Sequence, residues 1–196
     1  MAMLINTNTL KLIAQIEWAK NPFRNGLTCS IQRTCDKKVS QIRDEANKAE
    51  KEWGNSMIGQ QSNGNWTTLL GENLVHDILV LRGENPRKPK RMNGYEPDWE
   101  TDDYIWEVKT RNWTTSGTAG EKVLGTMYKY SDIPKMYGKP LRIVCVAYQE
   151  WELTHGTTKI FGDVSESKRG FLDYAKSIGI TYVKFSDLVA SVTLPE

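Results

Sequence analysis

Cysteine and histidine are scarce in this chain. The three cysteines, Cys29, Cys35 and Cys145, are odd in number and show no metal-like pairing. That argues against a disulfide scaffold and for a reducing, intracellular, cytoplasmic setting. The two histidines, His76 and His155, stand far apart, and neither belongs to a zinc-like or His-Asn-His arrangement. No serine, cysteine or histidine triad has a local signature. No glycine-rich phosphate loop occurs, so no nucleotide cofactor is implied. Apolar runs fall short of the roughly 20 residues that span a membrane, and no basic-then-apolar leader opens the chain. Repeats and low-complexity tracts are lacking too. So is an excess of charge of either sign. The 26 basic and 24 acidic side chains leave a net charge of +2, too small to announce a nucleic-acid binder.

A length of 196 residues suits one domain with, at most, a small appendage. The pattern divides it into an N-terminal helical segment, 1–60, and a core, 61–196. Residues 9–20 read as a short helix, and 21–26 (Asn-Pro-Phe-Arg-Asn-Gly) as a turn. A long helix follows over 31–53. Its apolar positions, among them Ile31, Val39, Ile42 and Trp53, form one narrow stripe near the heptad period. Such a stripe suits a hairpin with the first helix or a partner subunit. The amide-rich stretch 60–65 could read adenine edges, though surface loops share that composition.

From residue 69 the elements become regular. Leu70, Leu74, Ile78 and Leu81 predict a helix over 69–81, stopped by Gly83. Strands are expected at 95–101 and 104–111, joined by a tight Asp102-Asp103 turn. Thr118 and Glu121 fit a capping box that opens a helix carrying Val123, Leu124, Met127 and Tyr128. Residues 141–148 are almost wholly apolar, as in a strand buried on both faces. A helix near 167–177, a strand at 181–185 and a closing helical turn at 187–191 complete the chain. The fold class is therefore α/β, with a mixed central sheet flanked by helices.

Charge is unevenly spread. Arg87, Lys88, Lys90 and Arg91 form a basic run, and residues 96–108 hold six acidic residues and no basic one. A nucleic-acid enzyme needs both: cations for phosphates, and carboxylates whose repulsion metal ions neutralise. Asp98, Glu107 and Lys109 stand inside this stretch. Strand alternation places Glu107 and Lys109 on one face and Trp106 and Val108 on the other. With Trp106 and Val108 in the core, Glu107 and Lys109 are expected on an open face. A hairpin through Asp102-Asp103 would return Asp98, on the preceding strand, beside Glu107. Hard oxygen ligands of this kind suit Mg²⁺, which polarises a phosphate and lowers the pKa of an attacking water. Lys109 either orients and helps deprotonate that water or stabilises charge on the phosphate, and the nearby carboxylates favour the second role.

Pro97-Asp98 followed by Glu107-Val108-Lys109 resembles the PD-(D/E)xK nuclease superfamily, which includes most type II restriction endonucleases. The resemblance covers roughly 69–148. It implies a restriction-endonuclease-like core ordered helix, three-stranded meander, helix, strand, with 141–148 as the third meander strand, out of order behind the Thr118 helix. It also implies an acidic residue on the first helix that supports the metal site, matched here by Glu72 beside Gly71. Catalytic residues would be Asp98, Glu107 and Lys109. One or two Mg²⁺ ions would be held by Asp98, Glu107, the Val108 main-chain carbonyl and, in support, Glu72. The implied activity is hydrolysis of double-stranded DNA, leaving 5′-phosphate and 3′-hydroxyl ends. A structure-specific repair or junction-resolving nuclease and a non-catalytic DNA-binding module are the alternatives.

Lys88, Lys90, Arg91 and Arg111 are candidate phosphate contacts. Trp113, Thr114, Thr115 and Ser116 form a loop of donors and acceptors leading to a helix N-terminus that favours anions. A palindromic target would call for a homodimer, with the 31–53 stripe as a possible interface. Neither a membrane nor a nucleotide cofactor is expected among its partners.

Overall fold

The computed structural model describes residues 66–110, 119–146, 148–155 and 158–192. The expectations for the N-terminal segment and the 60–65 loop lie outside these residues, as do those for Arg111, Trp113, Thr114, Thr115, Ser116 and the Thr118 cap.

Helix α1 (Trp66–Leu81) forms where Leu70, Leu74 and Ile78 recur at helical spacing. Val75 and Leu79 widen the stripe, and all five are buried. Its end is a Schellman motif. Gly83, at φ +81°, donates to the Val80 carbonyl at 2.9 Å, and the Glu84 N–H reaches the Leu79 carbonyl at 3.0 Å.

Among the described residues the sheet has four strands: β1 (Trp99–Glu100), β2 (Ile105–Thr110), β3 (Leu141–Val146) and β4 (Ile180–Lys184), in that spatial order. β1 and β2 are antiparallel, whereas β3 runs parallel to both β2 and β4. Helices α2 (Ala119–Lys129) and α3 (Ile133–Tyr137) separate β2 from β3 in sequence. Helices α4 (Tyr148–His155) and α5 (Glu166–Ser177) separate β3 from β4, and α6 (Phe185–Ala190) follows β4. A mixed sheet flanked by helices is thus present, as the sequence predicts.

Two apolar clusters explain the composition of β3. On one side Val144 and Val146 join Leu70, Leu74 and Ile78 of α1 and Phe185 of α6. On the other, Leu141 and Ile143 join Ile105, Ile133 and Ile180. Covered on both faces, the strand has no place for alternation. At roughly 1.5–3 kcal/mol for each fully buried aliphatic side chain, these layers hold the sheet rigid beneath the site.

Several expectations change. The 141–148 strand is not the third strand of a meander, since it pairs in parallel with β2. The third antiparallel partner is instead a single bridge, in which Arg87 and Glu100 exchange main-chain hydrogen bonds of 2.9 and 2.8 Å. β1 is only two residues long, so Asp98 lies just before it rather than within it. Helix α4 was not anticipated. Its described buried positions, Gln149 and Leu153, include one apolar residue, too little for a periodic signal. The expected face of β2 is also different: Ile105, Trp106, Glu107 and Val108 are all buried, so Glu107 does not stand on an open face. The second apolar layer covers that side of the strand as well.

Candidate active site

The site begins with the hairpin. Thr101 donates its N–H to the Tyr104 carbonyl at 2.9 Å, and the Trp106 indole N–H binds Thr101 Oγ1 at 3.1 Å inside the core. With the turn fixed, Trp99 pairs with Trp106 and Glu100 with Ile105. That register carries Asp98 back over β2, where its Oδ2 accepts the Val108 N–H at 2.6 Å. The hydrogen bond joins the two halves of the sequence motif.

Glu107 is 4% exposed. Its Oε1 accepts from Lys109 Nζ, two residues along the strand, while its Oε2 is buried with no hydrogen-bond partner. An unpaired buried carboxylate oxygen is costly. Asp98 registers that proximity. Burial and then the charge of Glu107 push its carboxyl up to about 7 from 3.8; Glu72 adds to the rise, while the Val108 N–H and Lys109 oppose it.

Glu72 arrives from α1. Gly71, immediately before it, is packed so closely against β2 that a Cβ there would lie 2.3 Å from Thr110 Cγ2. Glycine at this position lets α1 approach the strand that carries Glu107 and Lys109. The Trp99 indole donates to the Glu72 carbonyl at 2.9 Å, tying the helix to β1.

Lys88 enters from the basic run. The Arg87 bridge to Glu100 aligns this segment with β1, and Lys88 Nζ reaches the Asp98 carbonyl at 2.9 Å and Glu72 Oε2 at 3.4 Å. The same ammonium sits 4.0 Å from the centroid of the Trp99 ring. Lys90 and Arg91 are exposed. The Lys90 main chain is fixed, its carbonyl accepting the Tyr137 hydroxyl at 2.6 Å.

Tyr130 follows α2. Its hydroxyl accepts from Lys129 Nζ at 3.1 Å. Burial, then the charge of Glu107, push the phenol well above its ordinary range, and the charge of Asp98 adds to this.

The four residues taken from the motif and helix, Glu72, Asp98, Glu107 and Lys109, therefore act on one another at one end of the sheet. Lys88 belongs with them more closely than a general phosphate contact would. Sequence reasoning named Gly71 only as the neighbour of Glu72 and not for its close packing on β2, and it missed the Lys129–Tyr130 pair, which has no signal in spacing. Among the described residues no three His, Cys, Asp or Glu side chains are gathered closely enough to close around an ion as they stand; Glu72 is engaged by Lys88. The donors are nonetheless hard oxygens of the kind Mg²⁺ takes, and Glu107 Oε2 among them is a buried acceptor with no hydrogen-bond partner.

Comparison with family models, with curated proteins and with solved structures finds no match to the chain.

Proposed function

We propose that this chain is a Mg²⁺-dependent endodeoxyribonuclease of the PD-(D/E)xK type, cutting double-stranded DNA at specific sites in the manner of a type II restriction enzyme. One observation carries the proposal. Asp98, which accepts the Val108 N–H, has its pKa raised to about 7 by burial and then by the charge of Glu107, and Lys109 projects from the same strand face onto Glu107. Two carboxylates placed so that they repel one another gain from a cation bound between them, beyond what the Lys109 ammonium supplies. The element order supports the same reading. A helix is followed by an antiparallel run of the Arg87 bridge, β1 and β2, then by helices and the parallel strand β3.

Asp98 and Glu107 would hold Mg²⁺, with Glu72 on the α1 side and the Val108 carbonyl beside them. When bound, the ion supplies Lewis acidity toward the phosphate and lowers the pKa of a water. Lys109 carries its positive charge from Glu107 to the attacked phosphate, where it offsets the charge that develops as the new P–O bond forms. Lys88 contacts a neighbouring phosphate oxygen and exchanges its hold on Glu72 for the substrate. Trp106 and Val108, locked in the core, keep the strand from shifting as Asp98 and Glu107 take up their ligand. A two-fold dimer would bring two such sites to both strands of a palindrome.

Digestion of plasmid DNA with the protein and Mg²⁺ tests this. Discrete fragments with 5′-phosphate ends are expected. Cleavage confined to branched DNA would move the assignment to a structure-specific nuclease. DNA bound but intact at every Mg²⁺ concentration would leave a binding module and overturn the proposal.

A further inference from the structure

Glu72 and Lys88 are unequally placed. The Glu72 side chain is 18% exposed and that of Lys88 58%, so the ammonium can leave for solvent while the carboxylate stays. The main chain around Lys88 is fixed on both sides. Arg87 is bridged to Glu100 through the main chain and holds Glu100 and Asp102 with its guanidinium, and Pro89 is buried. Motion here therefore belongs to the Lys88 side chain. Its ammonium stands 4.0 Å from the Trp99 ring centroid. From there it bridges two parts of the site, the Asp98 carbonyl at 2.9 Å and Glu72 Oε2 at 3.4 Å. Glu72 Oε2 is an oxygen that a hard cation takes, and an ammonium on it competes with that cation. A phosphate oxygen, in turn, competes with Glu72 for the ammonium.

We infer that Lys88 is a latch that makes cation binding conditional on DNA: in the free protein its ammonium occupies Glu72, and a DNA phosphate that draws it away releases Glu72 to the cation. This rests on the metal-site reading above and adds to it an order of assembly. Neither the hairpin nor α1 has to move, because one side chain carries the exchange. The effect is mutual by linkage. DNA that frees Glu72 tightens cation binding, and a cation on Glu72 frees Lys88 for DNA by the same factor. The latch is light, since exposed ion pairs shift an equilibrium by roughly 2- to 5-fold.

Titration of the full chain with Mn²⁺ by calorimetry, without DNA, tests the inference. The proteins compared are the parent, Lys88→Met, Glu72→Gln, the double variant, Lys90→Met and Asp98→Ala. Lys88→Met keeps the stem on Trp99 and removes the charge. Its Mn²⁺ affinity should exceed the parent's by roughly 2- to 5-fold, and in the Glu72→Gln background the same change should have no effect. Lys90→Met, which removes a neighbouring exposed charge, should bind as the parent does. An affinity unchanged in Lys88→Met, raised equally in Lys90→Met, or still raised by Lys88→Met when Glu72 is Gln would overturn the latch. With Asp98→Ala impaired, each of these results leaves the metal site standing. A second measurement reads the DNA side. Affinity for a mixed-sequence duplex should tighten from chelator to Ca²⁺ by a larger factor in the parent than in Lys88→Met, and an equal factor would also overturn the latch. A parent protein that binds no Mn²⁺, or an Asp98→Ala variant that binds it normally, would remove the metal site and the latch together.

Discussion

Asp98 accepts the main-chain N–H of Val108 at 2.6 Å, and this hydrogen bond holds its carboxylate where it feels the charge of Glu107. The energetic consequence is a dependence on pH. The folded state raises the Asp98 pKa from 3.8 to about 7, so between those values the fold binds a proton that the unfolded chain releases. Its stabilising effect is complete below the lower value and is lost as pH rises through the upper one. In chelator, the protein should therefore lose stability between pH 4 and pH 8. Asp98→Asn, which keeps an acceptor oxygen and removes the charge, should be more stable than the parent at pH 8 by on the order of 1–2 kcal/mol and equal to it near pH 4. Urea unfolding across the range reads this directly. Parallel profiles for the two proteins would mean that neither burial nor Glu107 shifts Asp98 in the fold.

Gly71 and Gly125 make opposite predictions for the same substitution. A Cβ at Gly71 would meet Thr110 Cγ2 at 2.3 Å, whereas a Cβ at Gly125, in α2, meets nothing within 4 Å. Gly71→Ala should cost about 1–3 kcal/mol through overpacking and should weaken Mn²⁺ binding by moving Glu72. Gly125→Ala should stabilise by about 0.5–1 kcal/mol through helix propensity alone. Denaturation midpoints of the two variants, compared with the parent, decide the matter. A harmless Gly71→Ala would show that α1 need not approach β2 so closely.

Glu100 anchors the hairpin from outside. Its Oε1 accepts from Lys139 at 2.5 Å and from Arg87 at 3.1 Å, and these partners, Lys139 first, lower its pKa from 4.5. A lowered pKa gives stability that is present above the unfolded value and disappears as pH falls through the folded one. Glu100→Gln should cost about 1 kcal/mol at pH 7, scaled for partial exposure, and the gap should close below pH 4. A constant gap at all pH values would assign the loss to shape rather than charge.

Much of this was legible in the sequence. The helix over 69–81 and the strands around 105–110 and 141–146 follow from periodicity, because each buries a continuous apolar face. The approach of Asp98 to Glu107 follows from a hairpin whose turn residues are polar and whose strands alternate. What spacing does not convey is depth. Alternation indicates that Glu107 and Trp106 face opposite ways, but not that both faces are covered, so a buried Glu107 looks the same in sequence as an exposed one. The parallel pairing of β3 with β2 was hidden for a related reason: a strand apolar on both faces carries no information about its neighbour.

Cys145 reports on the same packing. It is fully buried in β3, opposite Lys109 in the parallel ladder, and burial pushes its thiol far above the ordinary range. With Cys29 and Cys35 changed to serine, a thiol reagent should label Cys145 only at the rate of global unfolding. Labelling that stays fast in native buffer, independent of denaturant, would contradict the rigid sheet beneath the site.

The most direct test of the account compares cleavage with binding in two variants. Asp98→Asn removes a carboxylate charge from the site, and Lys109→Met removes the ammonium while keeping the length of the stem. With Mg²⁺ and plasmid DNA, both should cut at least about 10³-fold more slowly than the parent, while DNA affinity measured in Ca²⁺ stays within a few-fold. Cleavage by either variant at the parent's rate would contradict the assignment of these residues to phosphodiester hydrolysis.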